Sequence, residues 1–272
     1  MSSLAQLPLF EHDLAASSEF TAAGLMKSVR ILRNVPDERV PPICILEFDG
    51  DLTDWLVRQN LARPVPFWPC FHTAMYSVDT GAGACGLIAR TIGGPYAVLI
   101  AEQLLAAGAS LIVGLTSAGR VAPSLPLPSI VVASAAVRDE GTSYHYLPPA
   151  EKIDCPTAIG SFLVEELRTL GIAVQEGPVW STDAPYRETA TQLRHWARHG
   201  VLAVEMQAAS LFAFAKARRA NVAVVAQVSN AVDHQGEQFD TGTPQGGLRI
   251  IQAIVRAGER FLSAGGAVSP AP

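Results

Sequence analysis

The chain has 272 residues, of which 49% are hydrophobic and 17% are charged, and its formal net charge is -5. This composition excludes an intrinsically disordered chain and predicts a sizeable buried core. The acidic balance provides no basic surface for DNA or RNA, so nucleic acid is not expected as a partner, and small molecules remain open.

The cysteines are Cys44, Cys70, Cys85 and Cys155, and their spacing matches neither disulfide pairs nor a metal site. We therefore expect no bound metal and a reducing, cytoplasmic location. No stretch reaches about 18 consecutive apolar residues, so no membrane span is expected. The N-terminus lacks the basic and then apolar pattern of an export signal.

Residues 1–42 are predicted to form an N-terminal arm that covers a neighbouring subunit. They include one helical segment at 22–32 and end in Pro36, Pro41 and Pro42. Residues 264–272 are mostly small and are predicted to form a flexible tail. No repeat or linker divides residues 43–263, which are therefore expected to form one domain.

Strands and helices alternate along this domain. Apolar runs predict strands at 43–46, 85–90, 111–115, 129–137, 174–182 and 222–230. Helical spacing of apolar residues predicts helices at 96–107, 158–169, 183–198, 204–215 and 248–262. This alternation is typical of an α/β fold.

Polar residues stand at the ends of several of these apolar elements. Glu205, Met206 and Gln207 open the helix predicted at 204–215, and the next strand ends in Ser229-Asn230. Thr116-Ser117-Ala118-Gly119 follows another strand, where small residues let backbone N–H groups approach a ligand oxygen. These groups indicate a binding site, whereas simple helix caps and an ordinary turn are the alternatives.

Several motifs together resemble a known family, the purine nucleoside and uridine phosphorylases with the methylthioadenosine/S-adenosylhomocysteine nucleosidases. The motifs are, in order, Ile92-Gly93-Gly94-Pro95, Thr116-Ser117-Ala118-Gly119, Glu140-Gly141-Thr142-Ser143-Tyr144-His145-Tyr146, Asp183-Ala184-Pro185-Tyr186-Arg187-Glu188-Thr189 and Val204-Glu205-Met206-Gln207-Ala208-Ala209. The resemblance covers roughly residues 43–262 and is nearest to the uridine-phosphorylase-like, less characterised branches.

The resemblance implies a three-layer α/β/α fold with a central mixed, partly barrel-like sheet. It also implies a homo-oligomer, a dimer, trimer or hexamer, with sites near the subunit interfaces. The implied activity is cleavage of the N-glycosidic bond of a nucleoside in nucleoside salvage. Phosphate is the implied co-substrate, and no cofactor is expected.

The resemblance also assigns the sugar side of the site. Met206 would pack against the ribose beside Glu205, and Gln207 stands where the family has a Glu that holds the 2′- and 3′-hydroxyls. Asn230 stands where the bacterial purine enzymes have an Asp that protonates N7 of the base. An amide supplies neither a charge nor a proton, so weaker catalysis and a base that leaves as an anion are expected. Asp233 is a candidate substitute acid, with a surface-loop role as the alternative.

The base is expected to meet an aromatic and polar group of side chains, namely Tyr144, His145, Trp180, Thr182, Tyr186 and Arg187. An aromatic face with a guanidinium suits a 6-oxopurine or pyrimidine better than adenine. The alternative role of Arg187 is a structural one, in which it caps its helix or pairs within it. We expect one cavity to gather Thr116, Glu140, His145, Thr182, Met206 and Asn230.

On the phosphate side, the resemblance points to Gly50, Thr116 and Ser117. Phosphorylases of the family add two arginines, and this chain has Asp54 and Val113 near those positions. The candidate replacement cations are Arg90, Arg120 and Arg187.

Three functions therefore remain open. The first is a nucleoside phosphorylase, which the loops favour. The second is a water-using nucleosidase, to which Ser117-Ala118-Gly119 is closer, with Asp49, Asp51 or Asp54 as the general base. The third is a nucleoside- or base-binding paralogue without catalysis, which the Gln207 and Asn230 amides favour.

Overall fold

The fold is described from a computed structural model, in which residues 7–11, 13–232 and 242–266 are described. The strands in these residues are β1 Ile43–Glu47, β2 Ala62–Pro64, β3 Met75–Asp79, β4 Ala84–Ala89, β5 Leu111–Arg120, β6 Ser129–Asp139, β7 Lys152–Asp154, β8 Ala173–Thr182, β9 Ala203–Glu205 and β10 Val222–Ala231. The α-helices are α1 Ala22–Arg33, α2 Asp51–Arg58, α3 Gly94–Ala106, α4 Gly160–Arg168, α5 Ala190–Arg198, α6 Ala208–Arg218 and α7 Pro244–Ser263. Short 3-10 helices span Pro8–Phe10, Thr142–His145 and Pro185–Arg187.

The strands form one mixed sheet in the order β10-β6-β8-β9-β5-β1-β4-β3-β2, and β7 pairs with β6. Strand β5 is parallel to both β1 and β10, whereas β10 is antiparallel to β6. Because β10 bonds to β5 as well as to β6, this part of the sheet curls back and is partly barrel-like. The predicted α/β fold with a mixed sheet is confirmed.

Helices cover the sheet on two sides, which gives three layers. One apolar cluster joins α1, α3 and α6 to the sheet, and its largest side chains include Phe212 and Phe214. A second cluster joins α2, α4 and α7 to the opposite side through residues such as Leu56, Leu163 and Ile254. Burial on both faces explains why β1 and most of β5 and β10 are continuous apolar runs.

The helix predicted at 22–32 is α1. Thr21 caps its N-terminus by accepting a hydrogen bond from the Gly24 amide, and Met26 and Val29 are buried. Met26 belongs to the cluster that includes α3, so the helix packs on the domain of its own chain. Whether the segment also covers a second subunit stays a prediction.

Two predicted boundaries are wrong, and both lie at the candidate site. Strand β5 continues to Arg120, because Thr116–Gly119 pair with β10 instead of forming a turn. The helix predicted at 204–215 begins only at Ala208, because Val204 and Glu205 pair with β8 as part of β9. Hydrogen bonding to distant strands outweighs the local helical pattern in both places.

The helix predicted at 183–198 is also divided. Pro185–Arg187 form a 3-10 helix, and α5 begins only after Thr189. Thr189 and Gln192 form a reciprocal capping box, which satisfies N–H groups at the new helix start.

Among the described helices, none combines the length and the hydropathy needed to cross a lipid bilayer.

The close contact between α3 and α6 depends on Gly94. A Cβ atom at Gly94 would lie 2.1 Å from Ser210 Oγ and 3.0 Å from Ser210 Cβ. We expect Gly94→Ala to lower the free energy of unfolding by about 1–3 kcal/mol, because the added methyl group overpacks a tight interface. Urea unfolding measures this change.

Gly141→Ala is the matched control, because a Cβ atom there would lie at an ordinary 3.6 Å from Asp183 Oδ2. Its backbone has φ -92 and ψ -32, which alanine adopts freely. Equal unfolding free energies for the two variants would contradict the packing argument.

Candidate active site

The carboxyl ends of β1, β5 and β10 meet at one edge of the sheet, where the chain forms a cavity. Residues lining this strand-end cavity include Glu47, Asp49, Asp51, Thr116, Ser117 and Ser229. The register of β10 against β5 shifts between Val228 and Asn230. Such irregularities re-aim side chains, and here the shift is at Ser229, which lines the cavity.

Glu205 anchors the start of α6. Its Oε2 accepts hydrogen bonds from the backbone N–H groups of Gln207 and Ala208, at 2.6 and 2.9 Å. Its Oε1 accepts a very short hydrogen bond from Ser181 Oγ. Ser181 Oγ in turn accepts from the Ala209 N–H at 2.9 Å, so β8, β9 and α6 are tied together.

Gln207 connects this anchor to the strand-end cavity. Its side chain is buried, and its Oε1 lies 3.4 Å from Thr116 Oγ1. The same oxygen accepts a hydrogen bond from the Met206 N–H at 3.2 Å. Met206 is partly exposed between buried Glu205 and Gln207. Gln207 therefore contacts Thr116, but of the six residues expected around one cavity only Thr116 is among its described lining residues.

Asn230 is the penultimate residue of β10, follows the cavity-lining Ser229, and is 5% exposed. Its Nδ2 donates to Ser229 Oγ at 2.9 Å, so the amide is held close to a residue of the cavity wall. Asp233, the candidate substitute acid, lies outside the described residues.

Two carboxylates at this cavity, those of Asp49 and Glu47, accept hydrogen bonds from nearby backbone N–H and hydroxyl groups. Asp49 accepts from Ser117 N–H at 3.1 Å and from Ser117 Oγ at 2.9 Å. Glu47 accepts from Gly50 N–H at 2.7 Å and from both the N–H and the Oγ1 of Thr53. Burial raises the pKa of both carboxyl groups above their ordinary values, although these donors oppose the shift.

Arg90 lies over Gly50, where a Cβ atom would be 2.6 Å from Arg90 Cγ. The guanidinium forms two hydrogen bonds to Asp54, at 3.1 and 2.5 Å, and holds the pKa of that carboxyl below its ordinary value. Arg120 is directed to the Leu125 carbonyl at 3.5 Å, and Arg187 is exposed on its 3-10 helix. Among the described lining residues, none of the three arginines is present.

The predicted base-binding side chains are less well gathered. Trp180 is fully buried, and its Nε1 donates to Asp139 Oδ2 at 3.0 Å. Its ring lies 6.3 Å from that of Trp196, so Trp180 is part of a small core cluster under α5. Thr182 is also buried, and its Oγ1 accepts from the Ala184 N–H.

Of the remaining aromatic candidates, Tyr144 is half-buried, whereas His145 and Tyr186 are exposed. Tyr144 donates to the Arg138 carbonyl at 2.8 Å, and Phe10 packs edge-on against its ring. His145 is exposed, and Tyr186 is 99% exposed. In the described chain these side chains do not line the strand-end cavity.

Glu140 belongs to the buried interior beside α6. It accepts hydrogen bonds from Ser210 Oγ at 2.5 Å and from the Ser143 N–H at 3.0 Å.

Sequence patterns did not predict the roles of Ser181, Ser210 or Glu47, although a hydroxyl or carboxyl inside an apolar run was an available signal. No group of three or more His, Cys, Asp or Glu side chains within the described residues is arranged to hold a metal ion.

Comparison with known proteins gives the family. Residues 42–258 match the family model of the Phosphorylase superfamily. A guanosine phosphorylase from Halorubrum lacusprofundi is 26% identical over 61% of this chain and 70% of its own length. Uridine phosphorylases from Escherichia coli and Treponema pallidum are 26% and 29% identical, over 63% and 57% of this chain and 73% and 65% of their own lengths. The chain therefore belongs to the phosphorylase superfamily.

The burial of Glu205 predicts a pH-dependent stability. Burial is the main cause that raises its pKa from 4.5 to about 7, so the folded state binds this proton more tightly than the unfolded chain does. The stabilisation that the protonated Glu205 gives the folded state is complete below the pKa of Glu205 in the unfolded chain. It is lost as the pH rises through the pKa of Glu205 in the folded state. Between about pH 5 and about pH 8, this group should lower the free energy of unfolding by about 2–3 kcal/mol.

Glu205→Gln resembles the protonated carboxyl and should remove that share of the pH dependence. Urea unfolding of both proteins across this pH range measures the difference. A variant whose stability declines with pH as steeply as the wild type would show that Glu205 does not titrate in this way.

Proposed function

We propose that this protein cleaves the N-glycosidic bond of a nucleoside and transfers the sugar to phosphate. The observation that carries the proposal is the 3.4 Å approach of Thr116 Oγ1 to Gln207 Oε1, because it joins the acceptor side and the sugar side in one site. Membership of the phosphorylase superfamily and the names of the guanosine and uridine phosphorylases support it. Phosphate is then a co-substrate, and no cofactor is required.

The sugar would lie between Met206 and Gln207. The thioether of Met206 is partly exposed and offers an apolar contact to the ribose. Gln207 offers an amide oxygen to a ribose hydroxyl, and it stands at the start of α6, held in place by Glu205. Because an amide carries no charge, it stabilises a developing positive charge on the sugar less than a carboxylate would.

The base would leave beside Asn230. An amide N–H can donate a hydrogen bond to a developing anion, but it cannot transfer a proton at neutral pH. This chemistry suits a 6-oxopurine or a pyrimidine, whose charge is spread over carbonyl oxygens and ring nitrogens. A homo-oligomeric state and a cytoplasmic location stay predictions.

Hydrolysis is the second candidate, and one observation favours it. Asp49 occupies the N–H and Oγ of Ser117, and Asp54 pairs with Arg90, so donors and a cation near the acceptor side already have anionic partners. Water is neutral and needs no cation, and a carboxylate whose pKa is raised by burial is a suitable base for it.

Base release from guanosine, inosine, uridine and adenosine, measured with phosphate, with arsenate and with neither, separates these functions. Release that requires phosphate or arsenate, with formation of a sugar phosphate in the first case, supports phosphorolysis. Equal release without either anion supports hydrolysis. Nucleoside binding without release would instead indicate a binding protein.

The amide positions give a directional prediction. Gln207→Glu should raise turnover, because a carboxylate aimed at a developing cation stabilises the transition state by roughly 2–4 kcal/mol in a site shielded from water. Asn230→Asp, added to it, should extend activity toward adenosine by supplying a proton to the base. The same nucleoside panel measures both effects.

Gln252→Glu on α7 is the control, because it makes the same change of charge at a partly exposed position away from Gln207. It should leave turnover unchanged. If wild type and double variant bind nucleoside and release no base under any of the three conditions, the enzymatic proposal fails.

A further inference from the structure

Ser117 presents two donors to the strand-end cavity, and Asp49 takes both. The carboxylate receives the backbone N–H at 3.1 Å on Oδ2 and the hydroxyl at 2.9 Å on Oδ1. Each oxygen of this carboxylate accepts one hydrogen bond, one from a backbone N–H and one from a neighbouring hydroxyl. Proteins hold phosphate oxygens by the same arrangement. The two donors of Ser117 therefore form an anion-binding site, called the cradle below, and the carboxylate of Asp49 occupies it.

The second carboxylate differs in how easily it can move. Glu47 is 3% exposed and is held by three donors from Gly50 and Thr53, so it is a fixed part of the fold. Asp49 is exposed as a residue, although its carboxyl group is partly desolvated, and among the described residues only Ser117 donates hydrogen bonds to it. A rotation of its side chain would free Ser117 without disturbing the core.

The charge around the cradle adds to this competition. Glu47, Asp49 and Asp51 all line the cavity, and the nearby Arg90 is paired with Asp54. A phosphate dianion that entered while Asp49 remained on Ser117 would face a like charge and would lack both Ser117 donors. Phosphate and the Asp49 carboxylate therefore cannot occupy the cradle together.

We propose that Asp49 is an internal competitor for the phosphate site and determines how strongly this protein binds its acceptor. Phosphate binds only when the carboxylate leaves Ser117. The inference rests on the proposed function only in placing phosphate at Thr116 and Ser117. It assigns Asp49 a role in acceptor selectivity that is separate from bond cleavage.

The test is binding of inorganic phosphate without any nucleoside, measured by isothermal titration calorimetry. Asp49→Ala should lower the dissociation constant for phosphate at least tenfold relative to the wild type. Asp49→Asn keeps an acceptor for Ser117 and loses the charge, so it should give a smaller gain in the same direction. Thermal unfolding checks that both variants are folded, and the Asn variant preserves the shape of the side chain.

Two controls separate occupancy from net charge. Asp51→Asn removes a charge from the same cavity without vacating Ser117, and Asp79→Ala removes one from β3 near the far edge of the sheet. Both should change phosphate affinity less than threefold. Phosphate affinities of both Asp49 variants within twofold of the wild type, no binding by any variant, or an equal gain in Asp51→Asn would overturn the proposal.

Base release is measured separately on the same proteins. Tighter phosphate binding by Asp49→Ala with no base release by any variant would sustain the competitor role and reject the proposed function. Phosphate-dependent base release with unchanged phosphate affinity in Asp49→Ala would support the proposed function and reject the competitor role of Asp49.

Discussion

The hydrogen bonds of the Glu205 carboxylate hold the sheet to the N-terminus of α6, directly after Met206 and Gln207. Glu205 ends β9, and it accepts from the first N–H groups of α6 and from Ser181 on β8. An apolar helix such as α6 has no polar face of its own to fix its orientation, and residues 208–215 are all buried. The position of Gln207, and hence its approach to Thr116, depends on this anchor.

The parallel arrangement of β1, β5 and β10 has a second consequence. Their carboxyl ends meet at one edge, so the residues that follow β1 lie beside Ser117 of β5 and Ser229 of β10. Ligand sites commonly form at this edge of α/β sheets. In this chain the edge is acidic, and its N–H and hydroxyl donors are directed to Glu47 and Asp49.

The site therefore combines a nucleoside-phosphorylase framework with unusual electrostatics. Gln207 and Asn230 carry neutral amides, whereas Glu47, Asp49 and Asp51 place carboxylates at the strand-end cavity. Under the proposed function, both features would weaken the stabilisation of a charged transition state and of a phosphate dianion. They bear on the acceptor and the rate, and they leave the scaffold unchanged, because hydrophobic burial on both faces of the sheet holds the layers together.

The amino-acid sequence by itself determined the alternation of strands and helices, the α/β class and the resemblance to the family, and that resemblance implied the mixed sheet. These follow from hydrophobic periodicity and from short motifs, which are local properties of the chain. Only the tertiary structure decided which polar groups meet. Asp49 and Ser117 are 68 residues apart, and Thr116 and Gln207 are 91 apart.

The same limit explains where the structure places particular candidates. Trp180 follows the pattern of a binding aromatic, and only the packing of α5 shows that its ring is core. Arg90 was a sound candidate for a phosphate cation by residue type, yet the fold places Asp54 beside it. Strand order and side-chain pairing depend on contacts between distant segments, so no local pattern of residues specifies them.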